Sequence, residues 1–317
     1  MTACKVLTPS AVDESSVYSP PRRQYHQITQ DYNESLKALW TYMKPAAVPC
    51  FNLDMLEELH HNVKQIEQNN GMIFHDGAWR PINYCIFASR SPKVFNLGGD
   101  LALFIELIKN RDKGALMHYG RLCIEGLYTR INGYNSSVIT ITMVQGDAFG
   151  GGLEFALSSN ILVAEQGTRL GFPEILFNLF PGMGAYTFLY RKVGMKITEE
   201  LITSGNTYKA EDLERMGVVD MLVPPGEAEK SVFELIQKQK KHVNALKSIY
   251  DCRRYTDPVR YEEFEKIIKT WVDAALRLND QDLHMMRRLV YSQRNQLEQK
   301  LAAQRAEYTL NPDLVAA

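Results

Sequence analysis

The chain has 317 residues, 45% hydrophobic and 23% charged, enough for one large α/β domain or two smaller globular units. Its formal net charge of -1 gives no bulk pull toward nucleic acid, and no apolar run reaches membrane-span length. The five cysteines (Cys4, Cys50, Cys85, Cys123, Cys252) are scattered without a C-x-x-C pair, which argues against a disulfide framework or a zinc site and suits a reducing cytosol.

From Met1 to about Tyr25 the chain mixes Ser, Pro, Thr and charge, a composition that predicts a poorly ordered tail. No basic region followed by an apolar core stands there, so no signal peptide is expected. Leu36–Met43 is a short amphipathic segment, ended by Pro45 and Pro49. Leu53, Leu56, Leu59, Val63 and Ile66 recur at helical spacing and predict a helix over Phe51–Gln68. Tyr84–Ala88 is a short β-type run, and Asp100 is placed to N-cap a helix opening at Leu101. Met117–Tyr128 reads as helix, Ser137–Val144 as a β-branched strand, Leu153–Ser159 as helix and Asn160–Ala164 as strand. This alternation predicts α/β crossover units. Beyond Thr187 nearly everything reads helical. With a boundary near Pro224-Pro225, the division is a tail over 1–30, a core over 31–224 and a helical region over 225–317.

The densest chemistry lies in Val144-Gln-Gly-Asp-Ala-Phe-Gly-Gly-Gly-Leu-Glu154, followed by Gly171-Phe-Pro-Glu174 and Phe180-Pro-Gly-Met-Gly184. Gly150-Gly151-Gly152 could be a plain connector, but it stands between a β-branched strand and an apolar helix start. It is not a phosphate loop, because Gly152 and Leu153 occupy the positions that need Lys and Ser or Thr, and G-x-G-x-x-G is absent. Glycine lets backbone N–H groups approach a ligand, and a helix opening there aims its positive end at developing negative charge. Glu154 alone would be an ordinary solvated helix residue. Its apolar neighbours Phe155, Ala156 and Leu157 argue for burial and a raised pKa. Glu174 follows Pro173 and could simply be a helix N-terminal acid. Gly98-Gly99 precedes the Asp100 cap and is either a turn or a second oxyanion loop. Two carboxylates beside such loops suit proton transfer on a carbonyl or thioester. No histidine pair has metal-ligand spacing.

Together these segments resemble the crotonase (enoyl-CoA hydratase/isomerase) superfamily, whose signatures look like Phe-x-x-Gly-x-Asp, Gly-Gly-Gly-x-Glu, Gly-x-Pro-Glu-Ile and Pro-Gly-x-Gly. All four occur in order between about Tyr84 and Val223. Val94–Phe104, Pro173–Ala185, Trp40-x-Tyr-Met43, Pro49-Cys-Phe51 and Trp271…Met286-Arg-Arg-Leu-Val290…Gln293 look more closely like the diffusible-signal-factor synthase (RpfF-like) branch. The resemblance implies a crotonase-like ββα spiral core with a helical C-terminal region. It implies that Glu154 and Glu174 are the acid/base pair and that Leu97 and Gly151 donate the two oxyanion-hole N–H groups. Gly98, Gly99, Phe149 and Gly150 would lie against the substrate, and Met183, Trp271 and Leu289 would line the acyl pocket. For these last three, ordinary helix core is the stronger reading of the residues alone. Phe149 replaces the branch's usual Leu and would add bulk beside the oxyanion hole.

The implied reaction dehydrates a 3-hydroxyacyl thioester on acyl carrier protein to the cis-2-enoyl thioester. Hydrolysis then releases a cis-2-unsaturated fatty acid, a quorum-sensing signal. Glu174 is placed at C2 and Glu154 at the departing oxygen, and the reverse stays open. No cofactor or metal is implied, nor a nucleic-acid or membrane partner. A cytoplasmic homotrimer or hexamer is expected by resemblance, and some relatives are held by a sensor receiver domain. The alternatives are an ordinary enoyl-CoA hydratase, with acyl-CoA as substrate, and a binding module that has lost catalysis.

Overall fold

The computed structural model describes residues 24–45, 47–91 and 93–310. The chain opens with a hairpin of β1 (Ile28–Asn33) and β2 (Ala38–Met43), followed by α1 (Leu53–Gln68). A small hairpin, β3 (Met72–His75) and β4 (Ala78–Pro81), precedes β5 (Tyr84–Ser89). Next come β6 (Val94–Asn96), α2 (Leu101–Lys109), α3 (Lys113–Ile131), β7 (Ile139–Val144), β8 (Asp147–Phe149), α4 (Gly151–Leu157), β9 (Ile161–Glu165) and β10 (Arg169–Gly171). A 3-10 turn over Glu174–Phe177 leads to α5 (Ala185–Ser204), β11 (Thr207–Lys209), α6 (Ala210–Arg215) and β12 (Met221–Val223). Four helices follow: α7 (Ala228–Gln239), α8 (Val243–Thr256), α9 (Tyr261–Ala275) and α10 (Asp280–Leu310).

The larger sheet has six strands in the order β1-β2-β5-β7-β9-β12, parallel except for the β1–β2 edge pair. Its central strands β5 and β7 are buried along their whole length, and β9 along all but its first residue; β5 and β9 are mainly apolar, while β7 buries Thr140 and Thr142 by bonding their hydroxyls to Asn160 and Arg130. The smaller sheet has four strands, β11-β10-β8-β6. In it β6, β8 and β10 run parallel, so their C-terminal ends lie side by side. The loops that follow those ends are Leu97–Gly99, Gly150–Gly151 and Phe172–Glu174. Parallel pairing thus collects three sequence-distant segments at one edge, where open α/β sheets take their ligands.

Several expectations are corrected here. Residues 1–23 lie outside the described residues, but 24–30 are not a loose tail: the buried Glu58 carboxylate accepts the N–H groups of His26, Gln27 and Ile28, and β1 follows. In the Leu36–Met43 segment, Leu36 and Lys37 belong to a turn and Ala38–Met43 is strand β2, buried between β1 and β5. The region beyond Thr187 is interrupted by β11 and β12, each of three residues. Asp100 does cap α2, accepting from the Leu103 N–H at 3.1 Å. Helices α3 and α9 meet closely at Gly120, where a Cβ would fall 2.0 Å from Ile268 Cδ1.

Candidate active site

The turn after β8 fixes the geometry. Gly150 has φ +50°, and a Cβ there would lie 2.2 Å from Glu174 Oε1, so glycine is needed for both the backbone and the carboxylate's approach. Across from it, Gly98 has φ +95°, and a Cβ would fall 2.8 Å from the Phe149 carbonyl oxygen and 3.1 Å from the Gly151 nitrogen. The two glycine loops therefore touch backbone to backbone. Gly151 opens α4, so its N–H has no acceptor within the helix.

Glu154 stands one turn into α4 and is 2% exposed. Its Oε1 accepts the N–H groups of Met183 at 2.8 Å and Ala185 at 2.9 Å, which ties α4 to the turn that starts α5. Burial pushes its pKa up to about 7, and those backbone N–H groups pull the other way. Glu174 is half-buried, and its Oε2 is sealed from solvent without a hydrogen-bond partner. Burial, reinforced by repulsion from Glu154, pushes its pKa up to about 8. The pair's protons therefore come off near neutrality, and Glu154, with donors aimed at it, ionises first.

Both glutamates line one pocket, together with Gly99 and Gly151. Met183 and Trp271 line it as the resemblance implies. Trp271 also holds the Gly182 turn: a Cβ at Gly182 would fall 2.3 Å from the indole Cδ1, and the ring packs edge-on against Phe104 at 5.1 Å. Five implied positions differ: Gly98 and Gly150 shape the glycine loops without lining the pocket, and Leu289, Phe149 and Leu97 depart further. Leu289, on α10, packs against the main core but does not line the pocket. Phe149 does not line the pocket: the Arg169 guanidinium carbon lies 5.8 Å from the centroid of its ring, and its carbonyl oxygen faces Gly98. The Leu97 N–H donates to the Pro49 carbonyl at 2.7 Å and the Gly98 N–H to Asn96 Oδ1 at 2.8 Å, so both are spent inside the protein.

Sequence reasoning missed the pocket's long walls. Leu56, Leu59, His60 and Val63 come from α1, and Tyr119, Leu122, Cys123, Gly126 and Leu127 from α3. The helical periodicity of α1 was visible, but not which part of its apolar face stays uncovered. The Tyr119 hydroxyl donates to the Phe51 carbonyl and accepts the Asp100 N–H at 3.3 Å, binding α3 to the Gly98-Gly99 loop. Among the described residues no cluster of His, Cys, Asp and Glu could hold a metal ion, and no helix is long and apolar enough to cross a membrane.

A family model described as enoyl-CoA hydratase/isomerase matches residues 38–270. A short-chain-enoyl-CoA hydratase from Clostridium acetobutylicum is 28% identical over 207 residues, 65% of this chain and 72% of that protein. The fatty acid oxidation complex subunit alpha of Pseudomonas savastanoi pv. phaseolicola is 31% identical over 153 residues, 48% of this chain and only 21% of that much longer protein. Among solved structures, an enoyl-CoA hydratase from Bacillus halodurans gives a TM-score of 0.69 at 15% identity, covering 83% of this chain and 99% of that one. Pseudomonas aeruginosa DspI gives 0.62 at 22% identity, covering 80% and 98%. The shared fold is the expected crotonase-like α/β architecture, with a helical C-terminal region.

Proposed function

Because the chain belongs to the enoyl-CoA hydratase/isomerase family, we propose that it moves protons at C2 and C3 of an acyl thioester with Glu154 and Glu174. The observation that carries this reading is the pair itself: two carboxyls in one apolar pocket, both with pKa values raised toward neutrality. The Gly151 N–H at the head of α4 polarises the thioester carbonyl. Gly99, the residue of the opposite loop that lines the pocket, supplies the second donor in place of Leu97. One such donor is worth about 3–4 kcal/mol in the transition state.

Glu174 acts at C2 and Glu154 at the oxygen on C3. With one proton on the pair, held by Glu174, the resting site is set to add water: Glu154 takes a proton from water and Glu174 delivers one to C2. Dehydration uses the complementary protonation state, with Glu174 ionised to remove the C2 proton and Glu154 protonated to release water. An ionised Glu154 then takes a proton from the water that attacks the thioester carbonyl, the C–S bond breaks, and the carrier's thiolate leaves with that proton.

The finer reading is a diffusible-signal-factor synthase, which dehydrates a 3-hydroxyacyl-carrier-protein thioester and hydrolyses the product to a cis-2-enoic acid. The segments Pro173–Ala185 and Val94–Phe104 support it, as does one oxyanion site able to serve both steps. The Clostridium acetobutylicum relative favours a second reading, reversible hydration of an enoyl-CoA. Mass spectrometry with double-bond geometry analysis separates them, after incubating the pure protein with 3-hydroxyacyl thioesters of carrier protein and of CoA. The synthase reading expects a free cis-2-enoic acid. A trans-enoyl thioester alone leaves the hydratase, and no turnover of either thioester overturns both.

A further inference from the structure

We propose that Gly126 sets the length of acyl chain the pocket accepts; this rests on the acyl-thioester reading above. Helix α1 starts beside the catalytic loops, where the Phe51 N–H donates to the Gly98 carbonyl at 2.8 Å. Its pocket-lining residues then recede from them as one helical stripe: Leu56, Leu59, His60, Val63. At about 1.5 Å per residue, Leu53 to Val63 spans about 15 Å. Helix α3 runs likewise, from Tyr119 at the glycine loop to Gly126, about 10 Å further on. The pocket is a slot between these two helices. At its far end His60 Nδ1 lies 3.4 Å from Glu125 Oε2, with side chains 29% and 35% exposed, so a polar pair bridges α1 and α3 where the slot meets water.

Gly126 sits well inside α3, a 19-residue helix, where glycine is among the poorest formers. Gly120 in the same helix has a packing reason, the Ile268 side chain 2.0 Å from where its Cβ would be. Gly126 has none: a Cβ there would meet no atom within 4 Å. A glycine that weakens its helix and relieves no clash keeps a space open, and that space is the slot. The ligand class implied is an acyl chain long enough to pass Cys123 and reach the His60–Glu125 pair.

The test replaces Gly126 by Ala, Leu and Phe. Two ladders of chain length are read: kcat/KM for acyl thioesters, and Kd for free saturated fatty acids by calorimetry. The preferred length should shorten in the order Ala, Leu, Phe, with about fourfold lost for each methylene excluded. The Ala variant should melt at the same or a higher temperature. Should the Phe variant fail to fold, Ala and Leu still give the trend. An unchanged length profile in folded variants overturns the proposal, as does a wild type that binds no fatty acid of any length. Fatty-acid binding without turnover of any thioester would instead overturn the proposed reaction and leave the length ladder readable.

Discussion

Replacing Glu174 by Gln should make the protein more stable than wild type in alkaline solution while removing its catalysis. The side chain keeps its shape, but the carboxyl whose pKa is pushed from 4.5 up to about 8 is gone. A raised pKa means the folded state holds a proton that the unfolded chain releases. That contribution is complete below pH 4.5 and is lost as pH rises through about 8. At about 1.4 kcal/mol per pH unit the full effect is about 5 kcal/mol; partial exposure of Glu174 brings it to roughly 2–5 kcal/mol. Glutamine cannot ionise, so the variant lacks this slope. Any penalty for placing an amide at the unpartnered Oε2 position is independent of pH and drops out of the comparison. Urea unfolding followed by circular dichroism at pH 5 and pH 8.5 measures it. The variant should gain on wild type by roughly 2 kcal/mol or more between the two pH values. A difference that stays constant would show that Glu174 is neither buried nor repelled by Glu154 as described.

Two further outcomes follow from the same geometry. The pH profile of kcat/KM should rise through about 7 and fall through about 8, because one proton on the Glu154–Glu174 pair is the active state. A flat profile over pH 6 to 9 would remove the pair from the chemistry. Gly150→Ala should lower activity sharply and cost about 1–3 kcal/mol, since its Cβ meets Glu174 Oε1 and its φ of +50° disfavours a side chain. Wild-type turnover and melting temperature in that variant would contradict the contact.

The sequence made the middle of the fold readable where burial leaves a mark in composition. Tyr84–Ala88 is largely apolar and Ser137–Val144 is rich in β-branched residues, and both strands are covered on both faces. Glu154 and Glu174 were visible as acids amid apolar residues. The smaller sheet was not visible, because β6, β8, β10 and β11 have three residues each, too few to show a period. Their parallel pairing brings the three loops together, so the reason for the site's assembly was hidden too. Motif matching carried Leu97 to the oxyanion hole, but a local event, its N–H bonding to Pro49, decides otherwise. It likewise carried Leu289 to the pocket, but α10 lends that pocket no side chain among the described residues, and Leu289 packs against the main core instead. The walls from α1 and α3 escaped because amphipathic periodicity reports which face is buried, not what it is buried against.

The backbone contact between the Gly98 and Gly151 loops divides the pocket into two kinds of surface for variation. Around the carboxylates, shape is set by main-chain atoms and by Gly98 and Gly150, where any substituent would collide, so change there is punished at once. Along α1, and along α3 beyond Tyr119, the surface is made of exchangeable side chains on regular helices, further from that contact. A mutational library confined to the helical walls should therefore yield many folded, active clones with altered selectivity, whereas one confined to the glycine loops should yield few survivors. New substrates can arise in such a scaffold without passing through an inactive ancestor.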